Sequence, residues 1–313
     1  MGRLLVAFAS AALLALAQPA AAQSFRTYLA SYGNDANAGC TLQSPCRLLP
    51  AAIQAVATGG EIWILDSANF NQGTVTIAKP VSILVVPGKI GSIVAVAGQP
   101  AISITSNVTV GLRNVVIAGN ASNPGTHGIV VSSGAAANLL SVEDSLFVNL
   151  QGHAIYVHDT ASRVSVKNSV FRNNTGYGVL ATNGPTVEVT DCRLFGNQTG
   201  GVAATSSNVA TPSVVNLTDS TVANGGSSPA VTASVTSGGI AKAMVVRTTI
   251  NDTGSALVAT GTGALVAVVD SSVSNNDKGF NVSSGGVVKS LGNNYIGDNR
   301  TADVGALVTT ATR

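Results

Sequence analysis

The side chains with the most chemistry to offer lie close together: His153, Tyr156, His158, Asp159 and Arg163, with His127 upstream. An imidazole titrates near neutral pH, and a carboxyl beside it could exchange protons with a substrate, so His153, His158 and Asp159 are candidates for general acid–base work. Tyr156 could serve as a stacking platform for a sugar ring, and Arg163 could border the same cleft. The preferred reading is simpler: a solvated loop with histidines at its corners. The carboxylates Glu61, Glu143 and Glu188 fall in different repeats of the chain, the last two on a different face. They therefore do not form the pair that glycoside hydrolysis requires. In Gly33-Asn34-Asp35-Ala36-Asn37 one carboxylate is present. Calcium would ask for more oxygen ligands, and a tight turn accounts for the composition.

What must position these residues is a short phrase repeated through the chain. Its clearest copies are Ser141-Val-Glu-Asp-Ser-Leu-Phe147, Ser165-Val-Lys-Asn-Ser-Val-Phe171, Glu188-Val-Thr-Asp-Cys-Arg-Leu194 and Ala267-Val-Val-Asp-Ser-Ser-Val273. Counted on the second polar residue, the copies fall at Asn114, Ser145, Ser169, Cys192, Ser220, Thr248, Ser271 and Asn294. A period of about 23 residues that lengthens only by insertion marks a solenoid with one coil per repeat. Alternation with period 2 inside the phrase makes the coil one of strands.

Within each copy, Val142, Val166, Val189, Leu217, Val245, Val268 and Leu291 are all apolar, as are Phe147, Phe171, Leu194, Val222, Ile250, Val273 and Ile296. These sets point inward, and the mixed positions between them face water. A second strand follows an Asn-rich or Gly-rich turn, as in Ala154-Ile-Tyr-Val157 and Gly178-Val-Leu-Ala181. Its outward positions read Val130, Tyr156, Leu180, Ala203, Val258 and Asn281, a row with no carboxylate and no cation. An apolar strip of this kind needs a cover: a loop of the same chain, another protein subunit, or a sugar face on Tyr156, with Val130 and Leu180 as neighbouring contacts. The small polar residues of the corner column satisfy backbone groups left unpaired by the bend, and the Asp and Asn before them are turn residues.

Met1 to Ala22 reads as a secretory signal, with Arg3 as its charged start, Leu4 to Ala17 as its apolar stretch and Ala20-Ala21-Ala22 as its cleavage site. The apolar stretch is too short to span a membrane, and Gly, Ser, Thr and Asn interrupt every later run. The expected product is exported, periplasmic or extracellular. Charged residues make up 10% of the chain with a net charge of +2, which gives no electrostatic footprint for nucleic acid. Cys40 and Cys46 flank Pro45 closely enough for a local disulfide in an oxidising compartment, and Cys192 is left as a buried thiol. Pro50 to Thr58 is the one convincing helix, ending at Gly59-Gly60, and it is suited to cover the open first coil.

Tyr28-Leu-Ala-Ser-Tyr-Gly-Asn-Asp-Ala-Asn-Ala-Gly39, Ser44-Pro-Cys-Arg-Leu-Leu-Pro-Ala-Ala-Ile53 and Gly59-Gly-Glu-Ile-Trp-Ile-Leu65 resemble the N-terminal signature of secreted proteins in the pectin-lyase-like superfamily. The resemblance implies an all-β, single-stranded right-handed parallel β-helix (β-solenoid) with a short N-terminal capping helix. The expected layout is a signal peptide at 1–22, an entry loop and capping helix at 23–60, coils at 61–297 and a tail or cap at 298–313. Enzymes of the superfamily mostly act on acidic polysaccharides, and its lyases pair calcium-binding carboxylates with an Arg or Lys base. No such cluster is legible here. The expected function is therefore a non-catalytic surface or periplasmic interaction or structural module recognising glycan, without cofactor. The alternative is a polysaccharide lyase, epimerase or hydrolase, for which calcium would be the implied cofactor.

Overall fold

The computed structural model describes residues 23–132, 137–207 and 211–310. The predicted signal at 1–22 lies outside them. Among the described residues the strands form three parallel sheets, designated A, B and C in the order in which each coil visits them, of 12, 10 and 9 strands. The chain is a right-handed β-solenoid. Each strand pairs with its equivalent one coil away, so the backbone N–H and C=O groups of the inner strands of each sheet bond between coils.

Register confirms the inward columns. Val142 pairs with Val166, Val166 with Val189, Val189 with Leu217, and Leu217 with Val245. All five are fully buried. Phe147 and Phe171 stack in the next column with ring centroids 4.7 Å apart and planes 8° apart. The core is thus a set of rows running along the axis, each built from one strand position.

Two of the three corners in each coil are built by recurring side chains. Between sheets A and B the residue before the corner column is left-handed in coil after coil: Asp144, Asn168, Asp191 and Asp219 have φ between 46° and 54°. Asx side chains tolerate that region better than most, which explains their recurrence. The following hydroxyls form the expected ladder. Ser145 N–H donates to Ser169 Oγ (3.1 Å), Cys192 N–H to Ser220 Oγ (3.0 Å) and Thr248 N–H to Ser271 Oγ (3.1 Å). A second ladder, built from asparagine, closes the corner between sheets B and C. Leu150 N–H donates to Asn174 Oδ1 and Asn174 Nδ2 to Asn197 Oδ1, both deep inside, and Asn276 repeats the pattern with Asn299.

Three assignments from the sequence shift. Asn114 aligns with Asp144 rather than Ser145, because Arg113 pairs with Glu143 and Val116 with Leu146; Val115 takes the corner position. At the other end Ser290, not Leu291, lies opposite Val268, because the corner there has one extra residue, and Leu291 is only half-buried. The strand Val231–Val235, in which Val231, Ala233 and Val235 alternate with Thr232 and Ser234, joins sheet C although the repeat did not point to it, because the turn before it is longer there.

The helix spans Leu49–Ala55 and lays Leu49, Ala52 and Ile53 on the first coil. It ends earlier than expected because the β-branched Val56 begins the strand Val56–Ile64. Cys40 and Cys46 are bonded and hold the entry loop, and Cys192 is free and buried. Strands also form in both flanking segments: Ser24–Leu29 pairs with Val56–Ile64, and Leu307–Thr309 with Val287–Ser290. No helix of the described residues is long and apolar enough to cross a membrane.

Candidate functional site

The histidines gather at the start of the sheet C strands. His127 and His153 occupy equivalent positions in successive coils, with their rings parallel (8°) and centroids 5.1 Å apart, and Tyr177 continues the stack at 5.7 Å. Each imidazole is tied to the next coil: His127 Nδ1 accepts the His153 N–H and His153 Nδ1 accepts the Tyr177 N–H, both at 2.9 Å. Burial lowers the pKa of both histidines, and with His127 beside it that of His153 is pushed down to about 4. Two neutral rings whose basic nitrogens are already occupied make a structural ladder, and neither is placed to take up a proton. Tyr156 leans against both and stacks on exposed His158 at 5.7 Å.

The remaining members of the sequence-predicted constellation separate. Asp159 is buried in the turn after the strand, where its carboxylate accepts the N–H groups of Ala161 and Ser162 and the Ser162 hydroxyl. Arg163 opens the next strand and stands on the outer face of sheet A. The outward row of sheet C forms as read: Val130 pairs with Tyr156, Tyr156 with Leu180, and Leu180 with Ala203. Its middle is closed by the chain itself, for Leu180 is 9% exposed and Ala203 0%. In the entry loop, Asp35 Oδ1 accepts the N–H groups of Arg47 and Leu48 at 2.8 Å, and Asn34 Oδ1 accepts that of Ala36, so these oxygens serve the backbone. Among the described residues no three His, Cys, Asp or Glu side chains converge as a metal site.

The most site-like surface is on sheet A, which the sequence reading passed over. Pairing runs Glu61–Ser82–Gly111–Ser141–Ser165–Glu188, one residue per coil, in a single outward row. The four central residues are small, so the row is a trough between taller neighbours. Thr109, Leu139, Arg163 and Thr186 form one wall; Trp63, Leu84, Arg113 and Glu143 form the other. Two overlapping cavities of about 470 Å³ and about 240 Å³ share Ser82, Gly111 and Ser141, and together they run along the helix axis. A Cβ at Gly111 would come within 3.2 Å of Ser82 Oγ, so glycine keeps the floor low there.

The sequence reading placed Glu143 and Glu188 on a different face. The structure puts Glu61, Glu143 and Glu188 all on this one, since outward positions of sheet A recur every second residue in every coil. Glu61 and Glu188 bound the trough, five strand spacings or about 24 Å apart. At the first end Arg26 bridges Glu61 at 2.7 Å and lies over the Trp63 ring, whose Nε1 donates to Glu61 Oε2. On the wall Arg113 holds Asp144 at 3.0 Å and approaches Glu143 at 4.0 Å. At the far end Asn216 Nδ2 donates to Glu188 Oε1 at 2.8 Å. Among the described residues, the hydroxyls of Ser82, Ser141 and Ser165 face the trough without a hydrogen-bond partner.

Comparison with known proteins agrees with this architecture. Residues 100–301 match the family described as right handed beta helix region. Among solved structures, pectate lyase Pel9A superposes with a TM-score of 0.62 at 17% identity, covering 90% of this chain and 79% of its own. A rhamnogalacturonan lyase superposes with a TM-score of 0.57 at 14% identity, covering 82% of this chain and 75% of its own. At such identity the likeness is one of fold. No curated protein matches the sequence.

Proposed function

The chain belongs to the right-handed β-helix family, and from that premise we propose that it is an exported, non-catalytic interaction module that binds glycan along the sheet A trough. The carrying observation is the floor row Ser82–Gly111–Ser141–Ser165, an open channel parallel to the axis that gives a linear chain room across several coils. Free hydroxyls on the floor are donors and acceptors at once, as sugar hydroxyls require. Leu139 and Leu84 on the walls offer apolar surface to the C–H faces of a pyranose. The disulfide in the entry loop accords with an oxidising compartment, which supports export.

The carboxylates favour binding over hydrolysis. A pair acting on one glycosidic bond stands within about 10 Å, whereas Glu61 and Glu188 are held more than twice as far apart by their coils. Glu143 stands two coils before Glu188 and two residues to one side, beside Arg113. The purified protein should bind on a glycan array and release no unsaturated product from uronate polymers, followed by ultraviolet absorbance. Appearance of that product would replace this reading with a lyase, and silence across the array would remove glycan recognition altogether.

A further inference from the structure

Resting on the glycan reading above, we propose that the trough selects an uncharged, extended oligosaccharide of about four sugar units, one over each of Ser82, Gly111, Ser141 and Ser165.

Length comes first. Coils repeat at about 4.8 Å, close to the rise of one pyranose in an extended, equatorially linked chain. Successive sugars therefore meet successive coils in register, and each meets the same kind of floor. The low stretch covers four coils before the row rises again at Glu61 and Glu188, so the ligand is bounded at both ends.

Charge decides the class. The lining carries Glu61, Glu143 and Glu188 against Arg113 and Arg163. Arg26 neutralises Glu61 from outside through its 2.7 Å bridge, and beside the wall Asp144 and Lys167 add one charge of each sign, so the local sum is zero. Two of the three arginines are already engaged, Arg26 by Glu61 and Arg113 by Asp144. A uronate chain would present about one carboxylate per coil, and the floor answers with three hydroxyls and a glycine. One end would also meet Glu188, whose partner Asn216 is neutral, and like charges brought together oppose binding. A neutral chain avoids both costs and uses the free Ser82, Ser141 and Ser165 hydroxyls as they stand.

The test is calorimetric titration of the full chain with neutral tetraoses (cellotetraose, xylotetraose, mannotetraose) and with tetragalacturonate. A neutral tetraose should bind with an affinity unchanged between about 50 and 500 mM NaCl. Ser141→Leu should weaken it at least about tenfold, and Ser141→Thr, which restores the hydroxyl, should recover it. Should Ser141→Leu fail to fold by circular dichroism, Ser165→Leu and Ser165→Thr take its place with the same expectation. Tighter binding of tetragalacturonate, weakening with salt and lost in Arg163→Ala, would overturn the neutral specificity and leave the glycan trough standing. Binding indifferent to both serine pairs, or no binding of either class, would overturn the trough reading and this inference with it.

Discussion

Acidification should unlock the imidazole ladder on sheet C, and the size of the effect follows from the geometry. His153 is neutral because it is largely buried against His127 and because its Nδ1 already accepts the Tyr177 N–H at 2.9 Å. A proton on that nitrogen would break the bond and place a charge against the neighbouring ring. In the unfolded chain a histidine titrates near pH 6.5; in the fold His153 is pushed down to about 4 by burial and then by His127. Between those values the unfolded state binds more protons than the folded one, so stability falls as pH falls. The contribution is complete above about pH 6.5 and lost progressively toward pH 4. The difference corresponds to roughly 3 kcal/mol at most, and partial solvent access reduces it to about 1–2 kcal/mol. Urea unfolding of wild type and His153→Gln at pH 7.5 and pH 5 isolates the effect, because every other titrating group is common to both. Wild type should lose about 1–2 kcal/mol more than the variant on acidification. The ¹⁵N shifts of His153 should report an Nε2–H tautomer at neutral pH. Equal pH dependence in the two proteins, or His153 titrating near pH 6.5 with the fold intact, would refute the ladder.

Asn174→Leu should destabilise the protein by about 1–3 kcal/mol, since it leaves the buried Leu150 N–H without its acceptor and takes the Nδ2 donor away from Asn197 Oδ1, which keeps only the backbone N–H of residue 174, and protease resistance of the central coils reads this directly. Asn149→Asp, at the neighbouring left-handed position, should cost little, because either side chain tolerates that backbone. Alkylation under denaturing, non-reducing conditions should label one cysteine. In the folded protein Cys192 should resist labelling, for burial pushes its thiol up to about 11 and leaves it 1% exposed; prompt native labelling would contradict the packing described.

The inward rows were legible in the sequence because strand alternation and coil period are both local. Val142, Val166 and Val189 are apolar for a reason that the residues beside them already display, and a small corner residue such as Ser145 or Ser169 marks where each strand stops. The errors came where an insertion altered the local count. One residue decided whether Asn114 or Val115 took the corner, and one more moved Leu291 out of the column. The strand Val231–Val235 carries the same alternation, but the longer turn Asn224-Gly-Gly-Ser-Ser-Pro229 before it shifts its place in the repeat.

The candidate site was hidden for a different reason. Ser82, Gly111, Ser141 and Ser165 are unremarkable one by one, and separations of 29, 30 and 24 residues obscure that they share a row. Only parallel pairing brings them side by side, where their lack of bulk becomes a trough. The same pairing divides His153 and Asp159 from Arg163, which sequence proximity had joined. By itself the sequence determined which residues face in and where the coil bends, since those follow from each residue's own backbone and solvation preferences. Tertiary structure decided which outward residues act together, because that depends on inter-coil register, and register is a cooperative property of the stacked coils.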